Sequence, residues 1–315
     1  MFDSKRQRYR PYDRVMALGP DWLTDRITSG EVVIIDGATG SELEARGVPM
    51  IYDGWSVLAQ LEYPETLRTL HEDYIRAGAS VIITNTFAAG RHLLEPGGMG
   101  DRVADVHRRA VEIAKQAREA VGEPVAIAGS VSSYMADERD PHWLGRLQQT
   151  YEEQVSLLAE AGVDLIICEM MQEPRIALPA VQAAVASGLP VWLGLSASQA
   201  PDGSLTNFDS PDQDFGETID ALIATPVGVV CIMHTEIPVV GPAIEMIRRR
   251  WDGPIGVYPE SGYYERPHWH YVDIIEPETL VVEARGWVAQ GANIIGGCCG
   301  LGVEHIEVLN CGLRS

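Results

Sequence analysis

The sequence predicts a single-domain α/β protein of the (β/α)8 barrel class, and three observations lead to that prediction. Eight short runs rich in β-branched and other apolar residues are spaced along the 315-residue chain. The stretches between them repeat apolar residues at three- and four-residue spacing, the pattern of helices with one buried face. No Gly-x-Gly-x-x-Gly motif follows the first run, which weighs against an open dinucleotide-binding sheet. Alternating helices and continuously apolar strands form a parallel sheet covered by helices, and eight units favour closure into a barrel.

The predicted strands and helices alternate along the chain. The strands span residues 32–36, 80–87, 125–131, 164–170, 191–196, 227–233, 254–260 and 293–299. The helical patterns are clearest at residues 64–79, 101–122, 145–163 and 277–292. Several of these helical segments end in glycine just before the next strand, which suits a helix C-cap leading into a short loop.

Three segments fall outside this repeat. Residues 1–30 are expected to form an N-terminal arm with a lead-in helix, and the barrel domain is expected to cover residues 31–315. The long acidic segment 196–217 is expected to be a loop, either a lid or an ordinary solvated one. The segment PHWHY, at residues 267–271, is expected to be a loop as well.

Composition and charge limit the partners. The chain has 24 Lys and Arg against 45 Asp and Glu, a net charge of −21 that disfavours nucleic acid and anionic membranes. Cationic or zwitterionic small molecules are tolerated better, although an acidic balance also simply aids solubility. No apolar run is long enough for a membrane helix, and the N-terminus lacks the apolar core of a secretory signal. Five cysteines do not suggest a disulfide framework, so we expect a cytoplasmic protein with free thiols; a homo-oligomer is possible.

Polar or reactive residues recur at the carboxyl ends of the predicted strands. In (β/α)8 barrels this is the end that carries the chemistry, so the clustering predicts a site there. These residues, in strand order, are Asp36, Thr84, Asn85, Ser130, Glu169, Ser196, Cys231, Glu260, Cys298 and Cys299.

The adjacent thiols of Cys298 and Cys299 follow two glycines at the end of an apolar run. Adjacent cysteines are poorly placed for a disulfide, but their sulfurs can converge on one ion when glycines let the backbone turn. In a barrel, Cys231 opens onto the same mouth, and three thiolates suit a catalytic Zn²⁺ whose fourth position takes a substrate atom. The alternative for the pair is two small buried apolar residues, and a core position is favoured for Cys231 taken alone.

Two further cysteines and one histidine are also considered as metal ligands. Cys168 and Cys311 are interpreted as structural, because Cys168 is out of phase with Glu169 and Cys311 lies beyond the last strand. His234 follows closely after Cys231 and could be read with it as a metal pair. A supporting or loop histidine is preferred, since three cysteines already suffice for the metal.

Seven segments give the chain a resemblance to a known family. They are DGATGSELEARG (36–47), HEDYIRAGASVIITNTF (71–87), AGSVSSY (128–134), GVDLIICEM (162–170), GVVC (228–231), YPESGYY (258–264) and GANIIGGCCG (291–300). With these segments the chain resembles the homocysteine S-methyltransferase family from about residue 32 onwards. The resemblance implies a zinc enzyme on a (β/α)8 barrel, with Zn²⁺ held by Cys231, Cys298 and Cys299 and the sulfur of homocysteine in the fourth place.

The same resemblance implies roles on the substrate side. Asp36, the Gly37 backbone amide and Glu169 would hold the amino acid end of homocysteine, although a strand-end carboxylate can also cap a following helix. Trp55 falls where the family places an aromatic residue near the reacting groups, and it could face a methylated onium donor by cation–π contact. A core or surface tryptophan is the commoner case. The residues expected to bind substrates are Asp36, Gly37, Trp55, Asn85, Ser130 and Glu169.

Three departures from the family pattern leave the methyl donor open. Val230 and Glu260 stand where the family often has asparagine, and Met170 stands where some members have an aromatic residue. The implied activity is methyl transfer from a small onium compound to homocysteine, forming methionine. S-methylmethionine or a related sulfonium is the first choice of donor and betaine the second, while selenocysteine or another thiol stays open as acceptor.

Two other functions are compatible with the residues. A zinc hydrolase or lyase on the same barrel would place water in the fourth position, although such enzymes usually use histidine and carboxylate ligands. A non-catalytic barrel would bind a thiol or a metal without forming a methylated product.

Overall fold

Eight parallel strands form the centre of the protein, which we describe from a computed structural model at residues 17–51, 54–134 and 145–314. The strands are β1 (Val33–Ile34), β2 (Val81–Ile83), β3 (Ala126–Ser132), β4 (Leu165–Glu169), β5 (Val191–Leu195), β6 (Val229–Glu236), β7 (Ile255–Glu260) and β8 (Ala292–Ile295). Each pairs with its neighbour in the order β1-β8-β7-β6-β5-β4-β3-β2, and a parallel bridge between Ile35 and Val81 joins β1 to β2. The sheet therefore closes, and the predicted (β/α)8 barrel is confirmed.

An outer helix follows each strand, and the first seven of these helices return the chain to the start of the next strand. The eight helices are α1 (Pro64–Arg76), α2 (Val103–Val121), α3 (Leu147–Ala161), α4 (Pro174–Ala186), α5 (Phe215–Leu222), α6 (Ile237–Arg248), α7 (Pro277–Ala289) and α8 (Val303–Leu313). Gly122 and Gly162 end α2 and α3 in the left-handed conformation, as the glycine positions predicted. Among the described residues, no helix is long and apolar enough to cross a membrane.

Side chains alternate between two cores along each strand, as the two-residue period of a strand requires. On β6, Val229, Cys231 and Met233 point into the barrel, whereas Val230 and Ile232 face the surrounding helices. On β4, Cys168 likewise belongs to the outer core. The alternation decides which strand residues can reach the mouth of the barrel.

The lead-in helix Asp21–Thr28 closes the amino-terminal end of the barrel. Leu18, Leu23 and Ile27 are buried in the same cluster as the interior strand residues. Trp192 on β5 donates a hydrogen bond from Nε1 to the Leu18 carbonyl oxygen at 2.7 Å. Residues 1–16 of the expected arm lie outside the described residues, and the domain boundary at residue 31 stays a prediction.

Two insertions at the carboxyl end contain β structure where the sequence suggested loops. After β5, residues 197–214 form a three-stranded antiparallel sheet made of Ala197–Gln199, Leu205–Asn207 and Ser210–Asp214. After β7, Tyr263–Glu265 pairs with His268–His270 as a hairpin. The loop predictions for 196–217 and 267–271 are therefore wrong, because both segments satisfy their backbone groups by strand pairing.

Candidate active site

A cleft of about 560 Å³ opens at the carboxyl end of the barrel, where the sequence predicts the site. Each of the eight strands contributes at least one lining residue, either on the strand itself or in the segment that follows it. The predicted residues that line the cleft are Gly37, Trp55, Thr84, Asn85, Glu169, Glu260, Cys298 and Cys299. Asp36, Ser130 and Cys231 are fully buried and are not among the lining residues.

Cys298 and Cys299 lie side by side in the turn after β8. Gly296 permits this turn, because an added Cβ there would lie 2.3 Å from a side-chain carbon of Ile35. The two sulfurs are 3.9 Å apart and unbonded. His234 brings its Nδ1 to 3.7 Å from the sulfur of Cys298. One ligand atom from each of these three side chains lies within 4.8 Å of the other two, so a metal can be held there.

Cys231 is not brought into this cluster of described residues. Its side chain lies in the barrel interior beside Gly256, its partner on β7, where an added Cβ would lie 2.5 Å from the Cys231 sulfur. The structure therefore brings together two of the three predicted zinc ligands. Cys231 as a ligand stays a prediction.

His234 takes a place in the cluster that the sequence analysis did not favour for it. The residue has a φ of 42°, an unusual backbone conformation for a residue other than glycine. Its Nδ1 lies 2.8 Å from Oε2 of Glu260, and its ring packs against Phe208 at 4.9 Å and Trp269 at 6.0 Å. The available signals were the spacing after Cys231 and the glutamate at 260.

The electrostatics of the cluster favour one thiolate. Contact with the Cys299 thiol, together with the imidazole of His234, lowers the pKa of Cys298 to about 5. The same contact, with burial, raises the pKa of Cys299 well above its usual value. Burial opposes a charge on His234, but Glu260 and Cys298 outweigh it and raise the pKa of the imidazole well above its usual value.

Two buried carboxyl groups lie next to the thiols. Burial raises the pKa of Glu169 to about 7, although the Ser130 hydroxyl donates a hydrogen bond to the carboxylate and opposes that shift. Burial also raises the pKa of Asp36 well above its usual value. Oδ2 of Asp36 accepts a hydrogen bond from the Ile83 amide at 2.7 Å, and Oδ1 has no partner among the described residues. Asp36 therefore links β1 to β2, and the helix Gly40–Ala45 has no side-chain cap.

Gly37 supplies a lining position that only glycine can occupy. An added Cβ would lie 2.4 Å from the Leu301 carbonyl oxygen. The Tyr74 hydroxyl donates to the carbonyl oxygen of Ala38 at 2.6 Å and fixes the chain directly after Gly37. The backbone at this strand end is therefore open to the cleft and held rigidly.

An aromatic wall, made of Trp55, Phe87, Tyr134 and Tyr264, forms one side of the cleft. The ring of Trp55 meets Phe87 at 6.4 Å and Tyr264 at 6.0 Å, both edge-on, and Phe87 meets Tyr134 at 5.4 Å. Nε1 of Trp55 is buried and has no hydrogen-bond partner among the described residues. The wall therefore offers aromatic ring faces together with the N–H group of Trp55 as a hydrogen-bond donor.

Asn85 lines the cleft, but its amide is occupied within the protein. The amide oxygen accepts from the Ser56 hydroxyl at 2.8 Å, and the amide nitrogen donates to Gln60 Oε1 at 2.8 Å. The prediction that Asn85 binds substrate therefore requires an indirect effect, in which Asn85 holds the shape of the cleft through this network. Ser130 likewise contacts Glu169 rather than the cleft.

Comparison with known proteins identifies the family. The sequence profile named homocysteine S-methyltransferase matches residues 33–311. The chain belongs to the homocysteine S-methyltransferase family. It is therefore a methyltransferase that acts on small molecules, and the resemblance seen in the sequence is confirmed.

Individual members of the homocysteine S-methyltransferase family align along most of their length. The homocysteine S-methyltransferase of Escherichia coli K12 is 30% identical over 85% of this chain and 91% of its own length. The selenocysteine methyltransferase of Astragalus bisulcatus is 27% identical over 86% of this chain and 89% of its own. The metallated form of the homocysteine methyltransferase MmuM from Escherichia coli superimposes with a TM-score of 0.74 at 26% identity, covering 90% of this chain and 96% of MmuM.

Proposed function

We propose that this methyltransferase moves a methyl group from a small onium donor to the sulfur of homocysteine, forming methionine. S-methylmethionine or a related sulfonium is the preferred donor, and betaine is the second choice. The observation that carries the proposal is the thiol pair Cys298 and Cys299, which lines one cleft with Glu169 and lies next to the buried carboxyl group of Asp36.

The residues at the thiol pair fit a zinc ion. Sulfur and imidazole nitrogen are the donor types that zinc prefers, and Cys298, Cys299 and His234 offer them within 4.8 Å of one another. The resemblance adds Cys231 to the proposed ligands, although its sulfur lies outside the cluster. When bound, zinc would keep the thiol of homocysteine deprotonated, so that its sulfur can act as the nucleophile.

The carboxyl groups suit the α-ammonium of an amino acid. Glu169 lines the cleft, and Asp36 keeps one buried oxygen without a hydrogen-bond partner among the described residues. A bound ammonium group supplies the positive charge that two neighbouring buried carboxylates need. Ser130 holds Glu169 in place for that contact.

The aromatic wall suits a methylated onium group. Cations bind over aromatic faces, and Trp55 offers Nε1 as a donor to a carboxylate on the same molecule. In the transfer, the bond from the methyl carbon to the donor's sulfur or nitrogen breaks and its electron pair stays on that atom. The new bond forms between the methyl carbon and the homocysteine sulfur, which has already lost its proton.

A product screen tests the proposal. Homocysteine is incubated with the enzyme and with S-methylmethionine, other methylsulfonium compounds or betaine, and methionine is measured by mass spectrometry; selenocysteine is run as a second acceptor. Cys298→Ala should abolish product, while the matched control Cys311→Ala should not, since Cys311 is exposed. Full activity in Cys298→Ala, or no methylated product with any donor, would overturn the proposal.

Family membership makes the chain a methyltransferase, which argues against a hydrolase, a lyase and a non-catalytic barrel. The cytoplasmic location and the homo-oligomer stay predictions. All five cysteines are free, which is compatible with a reducing compartment.

A further inference from the structure

We propose that Asp209 binds the α-ammonium group of the methyl donor, so that the enzyme prefers an amino acid sulfonium such as S-methylmethionine over donors without an amino group. The inference rests on the proposed function and deepens it, because it assigns the choice of donor to one residue. It concerns the exposed part of the cleft, where the sequence analysis identified no residue.

The insertion after β5 brings Asp209 to the cleft. Phe208 and Asp209 form the two-residue turn between the last two strands of that insertion, and both line the cleft. The ring of Phe208 lies 4.9 Å from the ring of His234, whose Nδ1 is 3.7 Å from the sulfur of Cys298. The turn therefore enters the cleft close to the thiols, and Asp209 is its exposed residue.

Gln172, in the segment after β4, holds this turn in place. Its Oε1 accepts a hydrogen bond from the Asp209 amide at 2.6 Å, and its Nε2 donates to Oδ2 of Asp209 at 3.2 Å. Gln172 is buried, and its carbonyl oxygen accepts from Nδ2 of Asn207 at 2.8 Å. The Asp209 carboxylate is therefore positioned before a ligand arrives, which lowers the entropy cost of binding.

The charge of Asp209 acts on the aromatic wall. Burial raises the pKa of Tyr134, and its hydrogen bond with Tyr264 opposes that rise. The guanidinium of Arg266 also lowers the pKa of the Tyr134 hydroxyl, whereas the Asp209 carboxylate raises it. Tyr134 packs against Phe87 at 5.4 Å. A negative and a positive group therefore lie near one end of the wall that we propose for the onium group, which suits the zwitterionic end of an amino acid.

This arrangement distinguishes two classes of donor. S-methylmethionine has an ammonium group four bonds from its sulfonium sulfur, a reach of about 5 Å. That group can donate a charge-assisted hydrogen bond to Asp209. Betaine has no amino hydrogen to donate, and its carboxylate is repelled by a second carboxylate. No ion pair joins Asp209 to another of the described residues, so its charge is available to a ligand.

Donor selectivity of the zinc-loaded full-length enzyme tests the inference. With homocysteine as acceptor, kcat/KM is measured for S-methylmethionine and for dimethylsulfoniobutyrate, which has hydrogen in place of the amino group. Asp209→Asn should lower kcat/KM for S-methylmethionine about tenfold and change the value for dimethylsulfoniobutyrate by no more than about twofold. The matched control Asp212→Asn changes an exposed carboxyl group of the same insertion that does not line the cleft, and it should keep both values.

Binding without turnover separates this inference from the proposed function. Homoserine, which has a hydroxyl in place of the thiol, takes the place of homocysteine, and calorimetry gives the Kd of each donor. The Kd of S-methylmethionine should rise about tenfold in Asp209→Asn, and the Kd of dimethylsulfoniobutyrate should stay within about twofold of the parent value. Glu236→Gln changes the other exposed carboxyl group that lines the cleft and should not alter this selectivity.

Three results overturn the inference: no binding of S-methylmethionine, no loss or an equal loss for the two donors in Asp209→Asn, or a selective loss in Glu236→Gln instead. If methionine still forms in the parent enzyme, the proposed function stands in each of these cases. If the Kd values change as expected but no donor yields methionine, only the proposed function is rejected.

Discussion

The Ser130 hydroxyl donates a hydrogen bond to the carboxylate of Glu169 at the mouth of the barrel. This contact opposes the rise in the pKa of Glu169 that burial causes. Since a carboxylate must be ionised to bind an ammonium group, under the proposed function we expect this contact with a buried serine on β3 to raise the affinity for the amino acid substrate.

Removing this hydroxyl should weaken the binding of homocysteine near neutral pH. In Ser130→Ala the pKa of Glu169 rises, so a smaller fraction of the carboxyl group is ionised at pH 7. A hydrogen bond to a charged group is worth about 1.5–3 kcal/mol, so the KM for homocysteine should rise by about tenfold or more. Steady-state kinetics measures this, and Ser156→Ala, on the exposed face of α3, serves as the control. An unchanged KM would contradict the role of Ser130.

The affinity for homocysteine should depend on pH through Glu169. Its pKa is about 7 in the free enzyme, and the ionised form is the one that we propose to bind the ammonium group. The KM should therefore be lowest above pH 7 and should rise by up to about tenfold for each pH unit below it. In Glu169→Gln the KM should be high and should lose this inflection between pH 5.5 and 8. A parent profile that is flat over this range would show that Glu169 does not bind the ammonium.

Substitution of Trp55 should affect the methyl donor more than the acceptor. Cation–π contacts are worth about 0.5–2 kcal/mol, so Trp55→Ala should raise the KM for the donor by a few-fold to about thirtyfold. Trp55→Phe should recover part of that loss, because it keeps an aromatic face. The KM for homocysteine in the same variants is the internal control, and an equal rise in both values would point to a general disturbance of the cleft.

Three buried histidines should make the protein sensitive to acid. Burial lowers the pKa values of His71, His92 and His107 to about 4, below the value of about 6.5 in an unfolded chain. Between these two values the unfolded state binds more protons, so the free energy of unfolding falls as the pH falls from 6.5 to 4. Each histidine contributes up to about 1.4 kcal/mol per pH unit in that window.

His71 offers the sharpest check of this acid sensitivity. Neither ring nitrogen has a hydrogen-bond partner among the described residues. His71→Leu should raise the free energy of unfolding at pH 5 more than at pH 7.5, as urea denaturation would show. The exposed His268→Ala, which loses only a surface ion pair with Glu44, should change either value by at most about 1 kcal/mol. An equal effect of His71→Leu at both pH values would contradict the assignment.

The barrel could be predicted from the sequence because its signals repeat. Eight apolar strands with amphipathic helices between them leave few other arrangements, and the glycines that end α2 and α3 mark where the helices stop. The sheet at 197–214 could not be predicted in this way. Its last strand, Ser210–Asp214, is short and polar and has no apolar alternation.

The cluster at the mouth could be predicted only in part, for a physical reason. Cys298 and Cys299 are neighbours in the chain, and the preceding glycines allow one sharp turn, so the sequence fixes their proximity. Cys231 and His234 depend on the phase of β6, where the backbone angle at a single residue decides which side chain enters the cleft. The spacing of apolar residues along the sequence does not reveal such a local bend of the backbone.

The amino-terminal end of the barrel is filled by Leu18, Leu23 and Ile27, and this bears on how substrates reach the site. With that end of the barrel filled, we expect the reactants and products of the proposed reaction to enter and leave through the cleft at the carboxyl end. Asp36 and Glu169, which we propose to hold the acceptor, are buried, whereas Tyr263, on the hairpin at the rim of the cleft, is exposed. Under the proposed function we therefore expect an ordered cycle, in which the acceptor binds before the donor and the spent donor leaves before the methylated acceptor.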